Sequence, residues 1–225
     1  MNLYLGRYFN IPVYFNWSAL ILYAAILPTW SVSEPLFWSA SILITAFLGS
    51  IVAHEFGHAL AGRAYGYDTS AIYMWAAGGI ADFNDIPDGT MKEFWISVAG
   101  PAVNLGIFLV IFLGIAMSGV NVPNEISKPL SNFPTTIEFW TFLAVWNLLV
   151  AGFNLLPMFP SDGGRILRSL LSLAMTKKNA TAIAGTLGGM AGLAMVIFGI
   201  YNFEIVITAV GLFLIIGAYA EYTRI

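Results

Sequence analysis

Apolar stretches long enough to cross a bilayer recur along this chain, and that recurrence restricts the fold more than any other feature. A hydrocarbon core about 30 Å thick takes roughly 20 helical residues. Six segments read as spans, at about residues 17–31, 36–64, 92–118, 136–157, 179–200 and 203–221. Only 9% of the 225 residues are charged, against about 25% in an ordinary soluble domain. A chain that is 59% apolar would expose more apolar surface than a soluble monomer tolerates, and disorder needs the opposite composition. The expected class is an all-α polytopic membrane protein, folded as one domain over residues 1–225, with the lipid bilayer as solvent. The absence of cysteine excludes disulfides and thiolate metal sites. A net charge of −3 without a basic run argues against nucleic-acid binding.

Three stretches interrupt the helical pattern. Ile11, Val13, Tyr14 and Phe15 read as a strand, and Pro12 places that strand at a sheet edge because it cannot donate to a ladder. Residues 65–90 carry two short apolar runs, Ala71–Ala77 and Ile80–Phe83, around Gly78 and Gly79, which reads as a hairpin at the membrane surface. A small membrane-associated sheet is therefore expected near residues 1–15 and 68–85. Residues 157–164 (PMFPSDGG) hold two prolines and two glycines, which cannot continue a regular helix. Irregular backbone at membrane depth requires protein or a water-filled cavity around it.

Basic residues fix the expected orientation. With six spans, Arg7, Arg63, Lys92, Arg165, Arg168, Lys177, Lys178 and Arg224 fall on the side of the N-terminus, and Lys128 alone falls on the other. By the positive-inside rule both termini are cytoplasmic, in a multi-pass protein of the cell membrane. Gly185, Gly188, Gly189 and Gly192 form two overlapping GxxxG patterns, read as close helix packing within the chain rather than a dimer face.

The second span holds His54-Glu55-Phe56-Gly57-His58, and these are the only two histidines in the chain. Residues i and i+4 of a helix share a face, so two imidazoles can converge on one ion while Glu55 reaches a water bound to it. This is the HExxH arrangement of zinc metalloproteases. Ionisable groups inside a bilayer cost at least about 2.5 kcal/mol each and need partners or a function. His54 precedes Arg63 by nine residues, about 14 Å along a helix, which sets it inside the hydrocarbon on the cytoplasmic side.

A catalytic zinc usually takes three protein ligands, and with no third histidine a carboxylate must serve. Glu34, Asp68, Asp82, Asp85, Asp88, Glu93, Glu125, Glu138, Glu204 and Glu221 fall in loops or at span ends and read as solvated interfacial charges. Asp162 differs: it follows the fourth span at the Pro/Gly break, before Gly163 and Gly164. It reads as the third ligand, with a helix N-cap as the alternative role.

Together, His54-Glu55-Phe56-Gly57-His58 and the stretch Asn154-Leu155-Leu156-Pro157-Met158-Phe159-Pro160-Ser161-Asp162-Gly163 resemble the two motifs of the site-2 protease family of intramembrane zinc metalloproteases. Ala99-Gly100-Pro101 with Asn104, and the Gly78-Gly79 hairpin, are also similar to family features. The resemblance implies that His54, His58 and Asp162 bind one zinc ion per chain and that Glu55 is the general base. It implies that Asn154 holds substrate or the developing oxyanion, with an interhelical hydrogen bond as the alternative for that residue. It further implies that the hairpin presents an edge strand to extended substrate, and that the substrates are transmembrane proteins. The CBS or PDZ domains fused to many members are not expected here. Two other readings are a membrane metalloprotease of the prenyl-protein processing type, which would need a distal glutamate inside a span, and a metal transporter, which would need an internal repeat and a second polar half-site.

Overall fold

A computed structural model of the chain describes residues 2–18, 34–75, 78–83, 90–119 and 136–224. The expected span at about 17–31 and the basic residue Lys128 lie outside the described residues, apart from residues 17 and 18. Among the described residues, five helices are long and apolar enough to cross a membrane: Ser41–Ala64, Met91–Met117, Ile137–Asn154, Lys177–Tyr201 and Ile205–Thr223. A four-stranded sheet accompanies them, so the fold is mostly helical with a small β-part, as expected. Large apolar side chains such as Val110, Met117, Ile197 and Ile216 stay exposed on the helices, which lipid rather than water accommodates. The chain divides into two compact units, one of Met1–Ile86 with Ala102–Ala151, the other of Pro87–Pro101 with Gly152–Ile225.

In the first unit, β1 (Asn2–Tyr8) and β2 (Ile11–Asn16) form an antiparallel hairpin. Its two-residue turn, Phe9 and Asn10, has positive φ at both positions, the handedness that matches strand twist. α1 (Glu34–Ala64) follows, then β3 (Thr69–Trp75) and β4 (Gly78–Phe83). The sheet order is β1-β2-β3-β4, with β2 and β3 parallel and β3 and β4 antiparallel. β2 is thus an interior strand, contrary to the edge position expected from Pro12. Pro12 pairs with Arg7 on β1, and the ladder to β3 begins only at Val13, so the missing N–H is asked for nothing. Gly78 and Gly79 lie in β4 and not in the turn of the second hairpin.

The alternation of β2 and β3 turns Ile11, Val13, Ile72 and Met74 onto one face, where they bury against Ala59, Val52 and Phe56 of α1. The same unit holds the later part of α2 (Thr90–Met117) and most of α3 (Thr136–Asn154). Phe47 of α1 stacks on Trp146 of α3 with ring centroids 4.6 Å apart, and the Trp146 indole N–H donates to Ser50 Oγ at 3.1 Å.

The second unit contains the start of α2, then α4 (Asp162–Leu171), α5 (Lys177–Tyr201) and α6 (Ile205–Thr223). α5 and α6 approach closely. A Cβ on Gly192 would fall 2.6 Å from the Gly211 carbonyl oxygen, while Gly189 faces open space. The 188/192 pair of glycines is therefore the packed one, within the chain. Several charges expected to be solvated are buried. Glu93 pairs with Arg168, whose Nε donates at 2.9 Å, and with Lys177 Nζ at 3.8 Å. Arg168 also pairs with Glu221 at 3.4 Å. Glu138 is buried in the first turn of α3, where a carboxylate complements the helix dipole.

Candidate active site

α1 carries three of the candidate site residues. His54, Glu55 and His58 are 4%, 7% and 7% exposed. One helical turn separates the imidazoles, and their Nε2 atoms lie 3.0 Å apart. Two nitrogens at about 2.0–2.1 Å from one tetrahedral zinc would stand about 3.3 Å apart, so the pair fits as two ligands of one ion. His54 Nδ1 lies 2.5 Å from Asn104 Oδ1 on α2.

Glu55 points to the sheet. Its Oε2 accepts the backbone N–H of Ala81 at 3.0 Å. Gly79 stands two residues earlier on the same face of β4. A Cβ there would fall 2.8 Å from the Glu55 carboxyl carbon and from Oε1. Glycine occupies this strand position because the carboxylate approaches the backbone too closely for a side chain.

The second unit positions the remaining candidates. Asn154 is the last residue of α3, so the fourth span ends three residues earlier than the expected 157. The segment after it folds back over the start of α4. Cβ atoms on Gly163 and Gly164 would lie 2.6 Å from the backbone carbons of Leu155 and Met158 respectively. Phe159 is fully buried, and its N–H donates to the Ala184 carbonyl at 3.2 Å. Asp162 opens α4 and is 9% exposed. It is not the cap: Ser161 holds that position, and its hydroxyl donates to the Leu156 and Met158 carbonyls at 2.7 and 2.6 Å. Sequence reasoning missed Asn147 altogether. The available signal is an amide in the middle of a mostly apolar span, a costly residue to bury without a partner.

Two buried imidazoles and a carboxylate on one membrane-length helix form the HExxH arrangement shared by the class of zinc metalloproteases. Residues 42–199 match peptidase family M50. The chain is 30% identical to a zinc metalloprotease of Methanocaldococcus jannaschii over 96% of its own length and 59% of that relative. It is 28% identical to Rip3 of Mycobacterium tuberculosis over 98% of its length and 58% of that protein. The solved structure of a site-2 protease from Methanocaldococcus jannaschii superposes with a TM-score of 0.72 at 30% identity, covering 99% of this chain and 95% of the other. The chain belongs to peptidase family M50, the site-2 proteases. It spans a little over half the length of the curated relatives it matches.

Proposed function

We propose that this chain is an intramembrane zinc metalloprotease that hydrolyses a peptide bond within or near the transmembrane segment of other membrane proteins. The observation that carries the reading is the pair of buried Nε2 atoms of His54 and His58, 3.0 Å apart, with the Glu55 carboxylate on the same helix. His54, His58 and Asp162 hold one zinc ion per chain; two imidazoles and a carboxylate are a donor set that could bind a metal and that suits a catalytic zinc. When bound, zinc supplies a water of lowered pKa and a Lewis acid for the scissile carbonyl.

The protein's own residues do the rest. Glu55 takes the proton from the attacking water and returns it to the leaving amide nitrogen. The Asn154 side-chain amide holds the substrate or donates to the carbonyl oxygen as negative charge develops there. A substrate helix must unwind locally to expose its peptide bond. β4 is the last strand of the sheet order, and its outer edge suits addition of an extended segment. Eight of the nine Lys and Arg residues fall on one side of the expected topology, which supports cytoplasmic termini in the cell membrane.

Metal analysis of the purified wild type and of Asp162→Ala tests this reading. One zinc per wild-type chain and a large loss of zinc in the variant are expected. Substoichiometric zinc in the wild type, or an unchanged content in the variant, contradicts it.

A further inference from the structure

Asn104 on α2 and Asn147 on α3 are both 0% exposed, and the hydrolytic scheme above uses neither. Leucine would fill such positions in a membrane span without burying polar atoms. Together with His54 the two amides form a chain of hydrogen bonds whose direction is set from its far end.

The Asn147 Nδ2 group donates to the Leu143 carbonyl at 2.8 Å. A backbone carbonyl can only accept, so this contact settles which end of the Asn147 amide is nitrogen. Asn147 Oδ1 then accepts from Asn104 Nδ2 at 2.7 Å. The same Nδ2 reaches the Ser50 carbonyl at 3.4 Å, a second acceptor-only group that demands the same orientation. Asn104 Oδ1 is therefore the atom facing His54 Nδ1 at 2.5 Å. That oxygen carries no proton, so the ring nitrogen must. A neutral imidazole has one N–H, and His54 Nε2 is left with its lone pair, 3.0 Å from His58 Nε2.

We propose that Asn147 and Asn104 form a one-way relay that locks His54 in the Nδ1–H tautomer and aims its Nε2 lone pair for metal binding. Both are positioning residues that act through His54. The hydrogen bond on the far nitrogen of a ligating histidine fixes its tautomer and ring orientation. Here that task falls to a neutral amide, itself held by a second amide from another helix. The metal half of this inference rests on the reading of His54 as a ligand, whereas the tautomer half does not.

The experiment uses the full chain labelled with ¹⁵N-histidine, which contributes only two rings. In metal-free protein, at a pH above the imidazole range, one ring is expected wholly in the Nδ1–H form. Asn104→Leu should abolish that preference and lower zinc affinity, measured against a competing chelator, roughly 10- to 100-fold. Asn147→Leu should fall between wild type and Asn104→Leu, and the double variant should be no worse than Asn104→Leu. Asn104→Asp keeps the acceptor and should preserve the tautomer. A purely structural role predicts otherwise: lower melting temperatures in detergent, with the tautomer and zinc affinity of the folded protein unchanged in both leucine variants. That result overturns the relay, as does a wild type with both rings protonated at Nε2. If Asn104→Leu does not fold, wild type, Asn147→Leu and Asn104→Asp decide by the same signals. A wild type that binds no zinc defeats the metal reading, while the tautomer of the metal-free protein still decides the relay.

Discussion

Glu55 accepts the backbone N–H of Ala81 at 3.0 Å, so a carboxylate on a membrane helix is held by the last strand of a sheet. The register of β4 makes this possible. Gly79, Ala81 and Phe83 share one face of the strand. Gly79 leaves room for the Glu55 side chain, Ala81 supplies the donor, and Phe83 lies where a Cβ on Gly62 of α1 would stand, 3.1 Å from its Cζ. Residues 55 and 62 lie two helical turns apart on the same side of α1. Helix and strand are fitted to each other over these two turns, and the orientation of the proposed base follows from that fit.

Gly79→Val tests this dependence. The added side chain would occupy the volume of the Glu55 carboxyl group and displace it without touching a proposed metal ligand. Proteolysis should fall about 100-fold, the cost of misplacing a reacting group by about 1 Å, with zinc content unchanged. Zinc analysis beside a cleavage assay checks this. Wild-type turnover would show that the carboxylate does not need its place beside β4.

Arg168 is the shared partner of Glu93 and Glu221, and Arg168→Met leaves Glu93 buried with its main partner gone. Removing one member of a buried pair costs about 3–5 kcal/mol. Equilibrium unfolding in mild detergent should register a loss of that order. Replacing Glu93 as well, in Arg168→Met/Glu93→Leu, should restore part of it. An unchanged midpoint in the single variant would contradict the assignment of the pair.

Gly192 and Gly189 separate two uses of the α5 glycines. Gly192→Leu should cost about 1–3 kcal/mol through overpacking, because Gly211 and Ile215 already occupy the space. Gly189→Leu, at an open position, should stay within about 0.5 kcal/mol. Thermal unfolding and size analysis of both variants check the pair. A change of oligomeric state in Gly189→Leu alone would mean that the stripe serves a second chain.

Much of this molecule is legible in its sequence, for identifiable reasons. Helices that cross a bilayer must be long and apolar, so expected spans at 36–64, 92–118, 179–200 and 203–221 lie within about two residues of the observed helices. The HExxH residues were legible because helical periodicity alone brings i and i+4 together. Asp162 stood out because its surroundings break a helix. What escaped depends on distant partners or on local tolerance. The β1–β2 turn uses Phe9 and Asn10 at positive φ where glycine is the usual signal. The burial of Glu93 depends on Arg168, 75 residues away. Gly79 reads as a turn residue in the sequence because its actual constraint, the Glu55 side chain, comes from another element. Asn147 offers only the signal of an amide in a mostly apolar span, because the partner that gives it a place in the proposed relay, Asn104, lies 43 positions away.

Cleavage of a reconstituted single-span peptide with a Gly-Pro break in its membrane segment, by zinc-loaded wild type and by Glu55→Gln, tests the central claim most directly. The amide retains the size of the carboxylate but cannot accept the proton. The account predicts cleavage by the wild type, one zinc per chain in both proteins, and a rate in the variant lower by about 100-fold or more. Wild-type cleavage rates from Glu55→Gln at full zinc occupancy would contradict it.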